Sequence, residues 1–213
     1  MLLFSFKVNS IKNLLNKIIL YHNAPTLFDR KPATLINFTA SNQLYELWSR
    51  YSRVYFKQLM ADLQLNTAID YAEIRHQTGK HVLVLFYNPE RLENTLLNPE
   101  NQYFLASLGY TPTPTIIGYL NQLSRRIGYS PGFPHEIGIF LGFPLSDVKG
   151  FIANHGKNYI LNQYWKVYHN PRTAKKIFAS YDRAKIDLIE KLKQLTPYSP
   201  HWPIHFNKLS KLV

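Results

Sequence analysis

The run His81-Val82-Leu83-Val84-Leu85-Phe86-Tyr87, closed by Asn88-Pro89, limits the possible folds more than any other stretch of the chain. Both alternating faces are apolar from Val82 to Phe86, so a strand here is buried on both sides and needs helices packed above and below it. The flanking segments supply candidates. Ile11, Leu14, Leu15 and Ile18 recur at helical spacing behind Asn9 and Ser10, with Lys12 and Lys17 opposite, and predict an amphipathic N-terminal helix over residues 1–24. From Ser41 as N-cap, the residues Leu44, Leu47, Trp48, Tyr51, Tyr55 and Leu59 mark one stripe of a long helix ending near Leu63. Glu90–Leu97 and Gln102–Leu108 read as short helices, and Thr113-Pro114 opens a longer one reaching Ile127. Two more are expected at Ser146–His155, stopped by Gly156, and at Arg172–Leu195.

Shorter segments have strand character: Thr34–Phe38 behind Pro32, Glu136–Leu141, and Tyr164–Tyr168. Strands separated by helices predict an α/β fold, a single layered domain with a mixed sheet of about four strands flanked by helices, over residues 25–195. Residues 196–213 form a Pro-rich tail in which Pro197, Pro200 and Pro203 deny a helix.

The 213 residues, 46% of them hydrophobic, suffice for one core. The absence of cysteine excludes disulfides, thiolate metal centres, iron-sulfur clusters and cysteine nucleophiles, and fits the cytoplasm as the expected location. Lys7 interrupts the apolar start, which has no preceding basic segment or small-residue cleavage site, so no secretion signal is expected; nor does any stretch approach a membrane span. The net charge of +12 is unevenly spread. Residues 157–213 carry eleven Lys/Arg against three Asp/Glu, residues 1–63 eight against three, and residues 64–156 six against seven. Basic ends suit nucleic acid, an anionic membrane surface or an acidic partner, but a solvated helix face has the same composition. In the Arg172 helix, Ala174, Ile177, Phe178, Tyr181, Leu188 and Leu192 form the stripe to bury, which leaves Arg172, Lys175, Lys176 and Arg183 outward.

The stretch Ser130–Gly156, "SPGFPHEIGIFLGFPLSDVKGFIANHG", holds the candidate site. If Glu136–Leu141 is a strand, His135 and Glu136 point to opposite faces, and Glu136 shares its face with Gly138, Phe140 and Gly142. The two glycines leave space either for a ligand or for a closely packed helix. A buried Glu136 requires a cation, and Lys166 is the expected partner because it alternates with Tyr164 and Tyr168 on one face of "YWKVY", with Trp165 and Val167 on the other. His135, Glu136, Gly138, Gly142, Lys166 and Tyr168 are therefore the candidate ligand-binding residues. The passage from strand to helix through Gly142–Pro144 suggests an anion site at a helix N-terminus, which Asp147 in the first turn would occupy itself.

Familiar chemistries fail on inspection. Ile139 stands where an HExxH motif needs its second histidine, and Pro203 breaks the spacing of His201 and His205, so no metal site is expected. Glycine-rich nucleotide loops and a serine elbow with matching histidine and acid are missing. The cofactor is unknown, and the residues leave open whether the chain is an enzyme. The expectation is a protein that binds a small polar or anionic ligand beside "FPHEIG", with the basic terminal helices as an alternative interaction surface.

Three blocks, "KPATLI", "FPHEIGIFLGFPLSDVKGFI" and "YWKVYHNPRTAKKIF", together resemble an uncharacterised bacterial family known as domain of unknown function 3793, over roughly residues 28 to 183. Pro134, His135, Glu136, Gly138, Phe140, Leu141, Gly142, Pro144, Asp147, Val148, Gly150 and Phe151 match the family pattern, and Phe143 stands where the pattern usually has Tyr. The resemblance implies a small cytoplasmic bacterial protein and brings no activity, cofactor or catalytic residue with it.

Overall fold

The computed structural model describes residues 2–28, 30–39, 45–46, 48–50, 56–57, 60–61, 68–75, 81–129 and 132–195. Helix α1 spans Leu2–Phe28 and strand β1 Ala33–Thr39; β2 follows at Asp70–Arg75 and β3 at His81–Tyr87. Next come α2 (Pro89–Leu96), α3 (Pro99–Ser107), α4 (Ile116–Tyr129), the short α5 (Ile137–Phe140) and α6 (Leu145–Ala153). Strands β4 (Leu161–Asn162) and β5 (Lys166–Val167) precede α7 (Pro171–Leu195). The fold is mixed α/β, but its main sheet has three antiparallel strands in the order β1-β3-β2, and β4-β5 form a separate two-stranded ladder. The expected mixed sheet of four strands is therefore corrected.

The central position of β3 follows from its sequence. Val82, Val84 and Phe86 join one apolar cluster with Leu15, Ile18, Leu20 and Leu27 of α1 and with Ala184, Leu188 and Leu192 of α7. Leu83, Leu85 and Tyr87 join a second with Leu92 and Leu96 of α2, Tyr119, Leu123 and Ile127 of α4, and Ile137, Ile139 and Phe140 of α5. Each face of one strand thus seeds its own layer, as its two-sided apolarity requires. Strand β2 escapes sequence reading because it lies at the sheet edge and, among its described side chains, only Ile74 is fully buried, so its polar residues hide any alternation.

The helices begin and end where side chains and backbone can satisfy their terminal groups. Asn88 Oδ1 accepts from Arg91 N and Asn98 Oδ1 from Glu100 N, with a proline at the first helical position in both α2 and α3. Helix α4 starts two residues later than Pro114, where Thr115 Oγ1 accepts from Gly118 N. Helix α1 continues past the expected end, through Pro25, and packs on α7. Much of the expected Ser41–Leu63 helix lies outside the described residues; its described residues are helical, and Trp48 and Phe56 are buried in the α1/α7 layer. The tail at 196–213 also lies outside the described residues. Along α7, Ala174, Phe178, Tyr181, Leu188 and Leu192 are buried while Arg172, Lys175, Lys176 and Arg183 are exposed, as the periodicity requires.

Candidate functional site

The segment expected as a strand from Glu136 to Leu141 is a compact helical turn. Gly138 N donates to His135 O, Ile139 N to Glu136 O and Leu141 N to Ile137 O, and Gly142, at φ +77°, ends the turn in the left-handed region. Ile137, Gly138, Ile139 and Phe140 are all buried, so apolar residues appear at every position and the alternation that suggests a strand carries no information. His135 and Glu136 still part company. The His135 side chain turns outward, its ring edge-on to Phe151 at 4.8 Å between centroids, while Glu136 is only 4% exposed.

Glu136 has its cation, but not the expected one. Its Oε1 accepts from Arg126 Nε at 2.6 Å and from the Tyr110 hydroxyl at 3.3 Å. Arg126 also donates to Leu108 O at 2.9 Å and stacks over the Tyr110 ring at 5.0 Å, so one guanidinium ties α4 to the turns on either side of it. Burial, reinforced by the Glu136 charge, pushes the Tyr110 phenol well above its ordinary range and keeps it a donor. Lys166 instead donates to Gly156 O at 2.8 Å and sits over the rings of Tyr159 (5.0 Å) and Phe151 (5.6 Å). The reason is geometric: β4-β5 is a ladder of its own and never lies beside the motif as a sheet neighbour. Arg126 was legible only as a cation at the edge of the Leu120/Leu123/Ile127 stripe.

A cavity of about 420 Å³ opens beside the motif. Its lining is mostly apolar and includes the aromatic residues Phe133, Phe143, Phe151 and Trp165, the aliphatic Ile137 and Val148, and also His135, Asn162 and Lys166. His135, Gly138 and Lys166 of the expected set therefore line one space, whereas Glu136, Gly142 and Tyr168 lie away from it. The two glycines serve packing. A Cβ on Gly138 would stand 2.8 Å from Val148 Cγ2 and 3.1 Å from Phe143 Cδ2, and one on Gly142 would collide with the Pro32 ring. Tyr168 lies flat against Gly150, where a Cβ would come within 2.6 Å of Tyr168 Cγ.

Asp147 has a different task from the expected one of capping its own helix. Although it stands in the first turn of α6, its Oδ1 accepts from the backbone N–H groups of Tyr168 and His169, and its Oδ2 from Trp165 Nε1, all at 2.8 Å. A carboxylate that is 2% exposed thereby fixes the strand β5 side of the cavity and the link into α7. His169 Nδ1 approaches the same Oδ1 at 3.7 Å. Trp165 in turn stacks on Phe143 at 5.1 Å and meets Phe178 edge-on at 4.5 Å, so the indole is held on three sides. Sequence reading missed Asp147 as an organiser because all three donors lie about twenty residues downstream.

No group of three His, Cys, Asp or Glu residues able to hold a metal ion occurs among the described residues, and none of their helices is long and apolar enough to cross a membrane. No curated protein and no solved structure matches the chain. The model of a family described as a protein of unknown function, DUF3793, matches residues 19–199, which include the motif turn, the cavity and the Asp147 network, and the chain belongs to that family.

Proposed function

We propose that this protein binds a small molecule with a flat apolar body and an anionic end, in the cavity between α5, α6 and the β4-β5 hairpin. The observation that carries the reading is a cavity of about 420 Å³ walled by four aromatic rings that also has Lys166 and His135 on its lining. An aromatic wall supplies affinity through burial, and a few placed polar groups supply orientation. The Lys166 hydrogen bond goes to the neutral Gly156 carbonyl rather than to a carboxylate, which leaves its Nζ further N–H donors for a carboxylate or phosphate. Asp147, although on the lining, is saturated by the Trp165, Tyr168 and His169 donors. His135 adds a second polar side chain on the same lining. The reading is one of binding, and no catalytic role is assigned.

A melting screen of the full chain with benzoate, naphthoate and indole acetate, each beside its amide, tests this. At least one carboxylate should raise Tm in a saturable way, its amide should do so less, and Lys166→Met should abolish the difference. Failure of every carboxylate, or equal stabilisation by the amides, would overturn the reading.

A further inference from the structure

We propose that Lys31 is a site of carbamate formation, at which its Nζ takes up carbon dioxide beside Thr34, Tyr181 and Lys185. Lys31 precedes β1 and is 8% exposed. Its Nζ donates to Thr34 Oγ1 at 3.2 Å, Thr34 Oγ1 is 2.8 Å from Thr26 Oγ1, and the Tyr181 ring lies 5.8 Å away. Among the described residues no carboxylate reaches it. Lys185 lies one turn beyond Tyr181 on α7, with its own Nζ over the rings of Tyr164 (4.6 Å) and Tyr21 (4.8 Å).

A desolvated amine beside another cation is the arrangement that makes lysine a nucleophile. Burial, then the charge of Lys185, lowers the Lys31 ammonium to about 7, so the free amine with its lone pair is abundant at neutral pH. The electrophile must be small, because Lys31 is nearly closed off between α1, β1 and α7. Carbon dioxide meets that limit. The Nζ lone pair forms an N–C bond to its carbon, a C–O π pair moves onto oxygen, and one N–H proton is lost to the buffer. The product is an anion. A negative charge at this position is attracted by Lys185, which repels the Lys31 ammonium, and it has the Thr34 hydroxyl, with Thr26 behind it, as a donor.

The full chain is incubated with carbon-13 bicarbonate, trapped by ethylation with a trialkyloxonium salt, and digested for peptide mass spectrometry. A labelled ethyl carbamate is expected on Lys31 at several-fold higher occupancy than on the exposed Lys175 and Lys176. Lys185→Met should lower that occupancy and Lys185→Arg should retain it, each checked for folding by circular dichroism. Labelling of Lys31 no greater than that of Lys175 and Lys176, or occupancy unchanged in a folded Lys185→Met, would overturn the proposal.

Discussion

At the scale of single residues, the buried Glu136 and Lys31 are handled in opposite ways. Glu136 is neutralised by a short contact to Arg126, whose side chain is 35% exposed, so the pair is only partly desolvated. We expect Glu136→Gln to destabilise the fold by about 1–3 kcal/mol, and its effect to couple to Arg126→Met by more than about 0.5 kcal/mol in a double-mutant cycle. Chemical denaturation measures both, and additive effects would show that the contact is not maintained in solution. Among the described residues, Lys31 has a hydroxyl and a second cation instead of a carboxylate. An ordinary lysine keeps its proton up to about 10.5, whereas burial and Lys185 lower Lys31 to about 7. Between those values the unfolded chain binds more protons than the native one, so this residue makes stability climb as pH rises from about 7 to about 10.5, and the full cost of the buried charge is present below that window. In carbon dioxide-free buffer, Lys31→Met should raise Tm at neutral pH and flatten this climb; an unchanged slope would contradict the assignment. The need of Glu136 for a cation was legible in the sequence, but its identity was not. Choosing Lys166 relied on two strands lying side by side, and one of them is a helical turn.

At the scale of elements, tight contacts and one carboxylate hold α5, α6 and the β4-β5 hairpin around the cavity. Gly138 packs under Val148 and Phe143, and Gly142 combines a left-handed φ of +77° with contact to Pro32. Gly138→Ala is expected to cost about 1–3 kcal/mol by overpacking. Gly142→Ala should cost more than Gly138→Ala, because backbone strain of roughly 1–2 kcal/mol adds to the collision with Pro32. Urea unfolding of the two variants gives the order directly, and a Gly142→Ala variant as stable as the parent would contradict this packing. Asp147→Ala removes the shared acceptor of three donors, so it should loosen the hairpin as well as lower stability. A shift in Trp165 fluorescence measured in a Trp48→Phe/Trp202→Phe background reports that loosening. The α7 helix was readable because an apolar stripe is a local signal, whereas the Asn98 cap was not used and the helix after it was expected from Gln102 instead of Pro99. The motif turn was not readable, because complete burial erases periodicity, and the Asp147 links were not, because they join residues far apart in sequence.

At the scale of the whole molecule, β3 separates two apolar layers, and the cavity opens on the side of α5 and α6, next to a third small cluster around Trp165, Val167 and Phe178. The two-sided apolarity of "HVLVLFY" foretold the layers, but strand order and direction depend on long connections that carry no local signal. The basic residues of α7 lie on its exposed side, and Arg183 is already paired with Asp187 at 2.8 Å. Solvated charges of this kind predict only weak, salt-sensitive binding of duplex nucleic acid, unchanged in preference by Lys175→Glu/Lys176→Glu; a micromolar complex at physiological salt that those substitutions abolish would favour an interaction surface instead. The central claim is that the aromatic cavity recognises an anionic end through Lys166. Titration calorimetry of the parent protein and of Lys166→Met with naphthoate and naphthamide tests it most directly. The account predicts that the parent prefers the carboxylate by about ten-fold or more, roughly 1.4 kcal/mol, and that Lys166→Met binds both compounds alike. No binding of naphthoate by the folded parent, or a preference that survives Lys166→Met, would contradict it.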